Sequence, residues 1–316
     1  MSNKKNLRFT KDYNLPINIF NEEMFSYYRD LYKEFWPSDA EYRMNNEIKL
    51  FNDNVDEWLA HYAKIRDNII FSLENSEEYK EFNQSDLSKY DIPNLGVGER
   101  SLYNEESEGG IFLSIDLKKA NFQALKYVGV LKDETYKDFI HRNNGTDYFA
   151  DSKYLRQVIF GKLNPKRQIK VEKYLIYQIH KLFCQLFVEL RLFSYQLYSV
   201  NSDEIVYTAH TLIDLPSQTM LELFEKEVKE MLGIEIRAEL VQISRLNIVN
   251  SNGNKVDAYI RKNVYTGVET LKKASTTFFP QIWKLYKGLE INEMDRTFFF
   301  EDQLATFKEP LKLVEE

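Results

Sequence analysis

The sequence predicts an α+β fold built from three successive regions. Apolar side chains recur at helical spacing over residues 21–91, which predicts a helical N-terminal region over 1–109. Residues 111–115 form a continuous β-prone run, and residues 197–208 contain two such runs around a polar turn. These two segments predict an antiparallel sheet with inserted helices over 110–215. More strands and helices are expected over 216–316.

The N-terminal region contains two clear amphipathic patterns. One begins at Met24 and ends at Phe35, and the other runs from Val55 to Ile70. Residues 1–17 are polar, and we expect them to form a loose arm. Proline and glycine at Pro93, Gly96 and Gly98 then predict a loop before the first strand.

The central region should start with a buried strand that ends at Asp116. Helices are expected over 120–130, 133–145 and 153–193, with an interruption at Asn164 and Pro165. The segment Leu197 to Thr208 predicts a β-hairpin, and its turn carries the adjacent acids Asp203 and Glu204.

The last region begins with an amphipathic helix from Gln218 to Leu232. Strands are expected over 235–248, 256–263 and 266–273, with Asn252 and Gly253 supplying hairpin turn chemistry. The final 40 residues predict short helices and loops.

Composition limits the classes of function. The 316 residues carry a net charge of −7, which argues against a protein that coats nucleic acid by bulk charge. No apolar stretch is long enough to span a membrane, and no secretory signal is present. The single Cys184 favours a reducing compartment. We therefore expect a cytoplasmic protein with no membrane partner.

One stretch reverses the sign of this acidic chain. Seven basic residues fall within 21 positions, against the single acid Glu172: Lys153, Arg156, Lys162, Lys166, Arg167, Lys170 and Lys173. The ordinary explanation is a solvated helix face. A local groove for a polyanion is the alternative.

The acids have ordinary explanations too. Asp116 could cap the helix that follows it, and Asp203 with Glu204 could form a plain surface turn. Their order along the chain supports a functional interpretation, because an acid, a basic helix and an acid pair follow one another.

Three motifs resemble those of palm-domain nucleic-acid polymerases. The segment 116–122, Asp-Leu-Lys-Lys-Ala-Asn-Phe, is similar to motif A of reverse transcriptases. Residues 152–161 resemble motif B, and 202–206 resemble motif C of bacterial-type DNA polymerases. Two positions depart from the family pattern, since Ser202 replaces His and Arg156 replaces Lys. The resemblance covers about 110–210.

This resemblance implies roles for named residues. Asp116 and Asp203 would bind two Mg²⁺ or Mn²⁺ ions, with Glu204 as a further catalytic acid. Asn121 would lie under the sugar of the nucleotide, unless a one-residue shift of the alignment makes Phe122 that gate. Lys153 and Arg156 would hold the triphosphate, and Phe160 would stack on the base. Lys162, Lys166 and Arg167 would contact nucleic acid.

The expected function is nucleotidyl transfer to a nucleic-acid 3′ end, with nucleic acid and nucleoside triphosphates as partners. The sheet would then be palm-like, the inserted helices finger-like and the last region thumb-like. Two alternatives stay open. One is an inactive palm-like protein that binds nucleic acid or is structural, and the other is a two-metal enzyme similar to nucleotide cyclases.

Overall fold

The computed structural model describes residues 2–188, 195–209, 215–301 and 303–314. The helices of this part of the chain lie mostly before the sheet or between its strands. They are α1 (Ser2–Tyr13), α2 (Glu22–Leu31), α3 (Ala40–Lys49), α4 (Val55–Asn75), α5 (Glu77–Gln84), α6 (Ala120–Tyr127), α7 (Tyr136–Arg142), α8 (Asp147–Asp151), α9 (Lys153–Lys162), α10 (Pro165–Phe183), α11 (Gln218–Leu232), α12 (Phe279–Tyr286) and α13 (Glu293–Arg296). None of these helices is long and apolar enough to cross a membrane.

Six strands form the main sheet, and all their pairings are antiparallel. They are β1 (Ile111–Leu117), β2 (Tyr195–Val200), β3 (Glu204–Ala209), β4 (Ile236–Arg245), β7 (Tyr259–Asn263) and β8 (Glu269–Lys272). The shorter strands are β5 (Ile248–Val249), β6 (Lys255–Val256), β9 (Thr297–Phe300), β10 (Gln303–Thr306) and β11 (Lys312–Leu313). The predicted α+β class and the predicted hairpin are confirmed.

The strand order is β2-β3-β1-β4-β7-β8. The first four strands follow the chain order β1, helices, β2, β3, helix α11, β4. This is the split βαβ arrangement, in which β1 lies between β3 and β4. The two segments that the sequence analysis singled out, the end of β1 and the turn before β3, therefore meet at one end of the sheet.

The two faces of the sheet have different roles. Leu113, Ile115 and Leu117 of β1 are buried in the main hydrophobic core against the helices. The alternate residues face the other side, as the two-residue period of a strand requires. On that side Phe112 packs in a small cluster with Leu102 of the preceding loop. Asp116, at the far end of β1, is only partly covered.

The main core runs through all three predicted regions. It contains Phe9 from the first, Leu125 from the second and Trp283 from the third. Phe35 contacts Trp283 with ring centroids 5.0 Å apart, so α12 packs on the N-terminal helices. The predicted boundaries at 109/110 and 215/216 divide the chain but not its core.

The expectation of a loose arm over residues 1–17 is wrong. Residues 2–13 form α1, and Phe9 and Asp12 are buried. Asp12 accepts hydrogen bonds from Tyr62 (3.0 Å), Tyr148 (2.8 Å) and Ser152 (2.6 Å). The buried stripe of α1 includes polar residues, so its amphipathic period is weak in the sequence.

Asp12 also positions the helix that carries the basic residues. The Ser152 hydroxyl donates to Asp12 and accepts from the Leu155 backbone N–H (2.9 Å), which caps the N-terminus of α9. The Arg8 guanidinium lies 3.7 Å from the same carboxylate. The N-terminal helix therefore fixes the start of α9.

We expect Asp12→Ala to lower the free energy of unfolding by about 3 kcal/mol, because three buried hydroxyls and Arg8 lose their acceptor. Asp56→Ala is the matched control, since the Lys4–Asp56 pair is exposed and should contribute less than about 1 kcal/mol. Urea unfolding followed by circular dichroism measures both. Equal losses in the two variants would contradict a structural role for the Asp12 network.

Candidate functional site

A row of charged side chains crosses the end of the sheet. Asp116 on β1 pairs in register with Glu204 on β3 and with Arg237 on β4. Residues directly opposite in an antiparallel pair share one face, with Cβ atoms about 4.5–5.5 Å apart. The Arg237 guanidinium lies 3.3 Å from the Asp116 carboxylate. Register alone thus brings together residues that are far apart in the chain.

The acidic turn sits beside this row. The Leu117 backbone N–H donates to the Asp203 carbonyl (2.8 Å), so Asp203 lies next to the end of β1. The Ser114 hydroxyl donates to Glu204 (2.6 Å), which holds that carboxylate on the open face of the sheet. Asp203 was expected to partner Asp116 in metal binding, but Glu204 is the residue in register with it.

The carboxylates act on one another electrostatically. The pKa of Asp116 is raised to about 6, mainly by burial and further by the charges of Asp203 and Glu204. Arg237 and Arg261 oppose this rise. Asp116 therefore takes up a proton at a higher pH than an ordinary aspartate does, and shifts of this kind are common where acids gather in functional sites.

The charged row continues along β4 and β7. Glu239 accepts from Arg261 (2.7 Å) and from Asn263 (3.3 Å), and Arg237 lies 3.4 Å from it. The sequence analysis did not single out these residues. The sequence signal that could have identified them is the two-residue spacing of Arg237 and Glu239, which places both side chains on one face of a strand.

A third buried acid comes from α10. Glu172 is buried, and it accepts a hydrogen bond from the side-chain amide of Asn121 (2.7 Å). The pKa of Glu172 is raised to about 7, first by burial and then by the charge of Asp203. The sequence analysis gave Glu172 no role, although it is the single acid within the basic stretch.

Helix α9 brings cations to the acids. Its apolar side is buried through Leu155, Ile159 and Phe160. Burial lowers the pKa of Lys153 and of Arg156, and the charge of Asp116 acts on both in the opposite direction. The charge of Asp116 thus acts on the side of α9 that carries Lys153 and Arg156.

Two aromatic residues do not face the site. Phe122 and Phe160 are both buried. Phe122 packs 5.7 Å from the Tyr136 ring, and Phe160 packs 6.2 Å from the same ring. The side chain that could reach a sugar is Asn121, whereas the base-stacking role expected for Phe160 has no exposed ring to perform it.

The three other basic residues differ in their surroundings. Lys162 and Lys166 are exposed near the junction of α9 and α10. Arg167 instead donates to the carbonyls of Phe82 and Ser85 at the end of α5. Its guanidinium is engaged in holding α10 to the N-terminal helices, and that contact accounts for its position.

The acids at this end of the sheet are the candidate ligands of a metal ion. Within the described ranges, no group of three or more His, Cys, Asp or Glu side chains is arranged to hold a metal ion. The oxygen donors at the site are Asp116, Asp203 and Glu204, and such hard ligands suit Mg²⁺ or Mn²⁺. Arg237 already contacts Oδ2 of Asp116, so an ion would share this carboxylate with Arg237 or displace it.

Comparison with known proteins gives no match: no family model, no curated protein and no solved structure is similar to this chain. Function must therefore be argued from the site itself.

The pH dependence of stability tests the environment of Glu172. Its pKa is higher in the folded chain than the ordinary value of 4.5, so the folded state binds the extra proton. That contribution is complete below about pH 4.5 and is lost as pH rises through about 7. We expect the Glu172 contribution to fall by about 3 kcal/mol over this window, in addition to the loss that the raised pKa of Asp116 produces at lower pH.

Glu172→Gln should remove the Glu172 contribution and leave that of Asp116, because a neutral amide cannot ionise. The control is Glu74→Gln, which changes an exposed carboxylate and should leave the pH profile as in the wild type. Urea unfolding from pH 4 to pH 8 in chelator gives the profile. Parallel curves for the wild type and Glu172→Gln would show that Glu172 titrates normally.

Proposed function

We propose that this protein is a nucleotidyltransferase that adds nucleotides to the 3′ end of a nucleic acid with two divalent metal ions. One observation carries the proposal. Asp116 lies in register with Glu204 and beside Asp203 at one end of a split βαβ sheet, within electrostatic reach of Lys153 and Arg156. Acids from two strands opposite cations from a helix suit phosphoryl transfer.

Different residues would bind the metal ions and the triphosphate in such a reaction. Asp116 and Asp203, with Glu204, are the carboxylates that would hold Mg²⁺ or Mn²⁺. Bound divalent ions supply activation of the attacking hydroxyl and charge neutralisation of the leaving pyrophosphate. Lys153 and Arg156 neutralise the triphosphate, and Arg156 can do so with two parallel hydrogen bonds. Catalysis is then positioning and charge stabilisation.

The proposed binding partners follow from the positive charges at the site. Nucleoside triphosphates fit the half-buried cations, and a nucleic-acid strand could extend past the exposed Lys162 and Lys166. The rest of the acidic chain limits binding to this groove. We place the protein in the cytoplasm as part of the proposal, in keeping with a single cysteine.

A second candidate is a protein that binds nucleotides without turning them over. The ion pair between Arg237 and Asp116 favours it, because the carboxylate expected to bind metal already has a cationic partner. The two candidates differ in product formation. Both predict nucleotide binding, but only the first predicts that pyrophosphate is released.

We expect Asp116→Asn to lower nucleotide incorporation by about a hundredfold or more, since a metal ion stabilises the transition state by several kcal/mol. Extension of a labelled primer, with and without template, in Mg²⁺ and then Mn²⁺ measures this. Asp257→Asn removes an exposed carboxylate and serves as the control. Nucleotide binding by a wild type that forms no product in any condition would favour the binding protein.

The choice of sugar tests the role of Asn121. Its side-chain N–H₂ donates to Glu172, which leaves the amide oxygen to accept a hydrogen bond from a 2′-hydroxyl. We therefore expect the wild type to use ribonucleotides at least as well as deoxynucleotides. Asn121→Leu should lower the ratio of ribonucleotide to deoxynucleotide kcat/KM by about tenfold or more.

Phe122→Leu is the matched comparison. Because Phe122 is buried, this change should reduce stability and leave the sugar ratio unaltered. Strict use of deoxynucleotides by the wild type, relaxed in Phe122→Leu and unchanged in Asn121→Leu, would place the gate at Phe122.

A further inference from the structure

We infer that a stripe of basic and aromatic side chains on α10 is a binding surface for a single-stranded nucleic acid, and that the chain segment 91–99 covers this surface until the strand binds. The inference rests on the proposed function for nucleic acid as the partner. It adds a path for the strand and a control of access to that path.

The stripe consists of residues that share one face of α10. Positions separated by 4, 7, 11 and 15 residues lie along the same side of a helix. The opposite face of α10 is buried through Leu175 and Ile179. The stripe is about 22 Å long at 1.5 Å per residue. Its members are exposed or partly exposed, and they are Lys166, Lys170, Lys173, Tyr177 and Lys181.

Tyrosine rings accompany the cations of the stripe. The Lys181 ammonium lies over the Tyr177 ring, 5.9 Å from its centroid. Beside the stripe, Tyr174 packs 6.1 Å from the ring of Tyr127, which is 38% exposed. Cations interleaved with aromatic side chains are typical of surfaces that bind single strands, because the cations neutralise phosphates and the rings stack on bases.

Two cations in the middle of the stripe are paired with acids of one chain segment. Lys170 lies 2.6 Å from Asp91, and Lys173 lies 2.8 Å from Glu99. Residues 91–99, here called the strap, thus place two carboxylates against the stripe. Lysine ammonium groups bind carboxylates and phosphates in the same way, so the strap occupies positions that two phosphates of a strand would take.

The strap is attached so that it can move away without unfolding the protein. Its acids Asp91 and Glu99 are 67% and 64% exposed, and exposed ion pairs contribute little to stability. Within the described ranges, no backbone hydrogen bond joins residues 92–99 to the rest of the chain. Just before the strap, Tyr90 is buried and packs 5.3 Å from the Tyr174 ring, which anchors one end. A segment held in this way opens at little cost.

A cavity connects the strap to the acidic turn before β3. It has a volume of about 390 Å³ and is lined by the strap, by Lys173 and by Val200 and Asn201. The Asn201 backbone N–H donates to the Glu204 carbonyl (2.8 Å), so the cavity borders the turn that carries Asp203. A strand bound along the stripe would therefore reach the acids of the candidate site.

Fluorescence anisotropy of a labelled oligothymidylate, titrated with the full chain in chelator, tests the surface. We expect Asp91→Asn combined with Glu99→Gln to tighten binding by about fivefold or more, because the strap no longer competes for the lysines. Lys170→Met combined with Lys173→Met should weaken binding by about tenfold or more.

The matched controls change an exposed ion pair that lies outside the stripe. Lys4 and Asp56 are 2.7 Å apart and about as exposed as the strap acids. Asp56→Asn and Lys4→Met change the net charge in the same directions as the test variants. Each should alter the affinity by less than about twofold, because no strand is expected to contact them.

The salt dependence of binding identifies direct phosphate contacts. For single strands, each contact contributes about 0.7 to the slope of log K against log salt. The double lysine variant should therefore lose about 1.4 of the wild-type slope, and the controls should keep it. A duplex of equal length should bind at least about threefold more weakly than the strand, because paired bases cannot stack on the tyrosine rings.

Equal affinities in the wild type, the double strap variant and the double lysine variant would overturn the inference. A gain in Asp56→Asn equal to that of the strap variant would also do so, because bulk charge would then explain the binding. Duplex binding as tight as strand binding would contradict the assignment to a single strand. Circular dichroism and thermal unfolding check that each variant is folded, and these exposed changes should leave both measurements close to the wild type.

The outcomes also separate this inference from the proposed function. If the oligonucleotide binds through Lys170 and Lys173 but no nucleotide is incorporated, the inference stands and the transferase proposal fails. If nucleotides are incorporated while both double variants bind the oligonucleotide as the wild type does, the inference fails alone.

Discussion

The site depends on the antiparallel register between β1 and β3. That register sets Asp116 opposite Glu204, and two like charges in this position repel each other. The surroundings reduce the cost: Arg237 contacts Asp116, and Ser114 donates to Glu204. A shift of one residue would turn Asp116 into the hydrophobic core. The burial of the neighbours Ile115 and Leu117 therefore keeps Asp116 on the open face of the sheet.

Helix α9 is held in place by residues that lie outside the site. Helix α9 carries Lys153 and Arg156, and its first turn is capped by Ser152. Ser152 in turn bonds to Asp12, which is buried among the N-terminal helices. The helical N-terminal region thus acts as a scaffold for α9 and its basic residues. Its contribution to the site is orientation, because residues held by packed neighbours keep a defined geometry at little entropic cost on binding.

Local patterns predicted the α+β class, the β2–β3 hairpin and the meeting of Asp116 with the acidic turn. Hydrophobic period and turn chemistry encode these features within a few residues. The partners Arg237 and Glu239 could not be found in this way, since strand register across a long sequence separation brings them to the site. Helix α1 was missed because its buried stripe includes Asp12, and Phe160 was misplaced because motif B does not show which helix face is packed.

The shared core has a consequence for mobility. Phe9, Leu125 and Trp283, one from each of the three regions, belong to one hydrophobic cluster. A large hinge motion between the three regions would separate the side chains of that cluster and expose apolar surface to water. A ligand would therefore have to reach the site through small movements of side chains and loops. The same continuity means that a fragment cut at 109/110 or 215/216 would leave half of a packed interface without its partner.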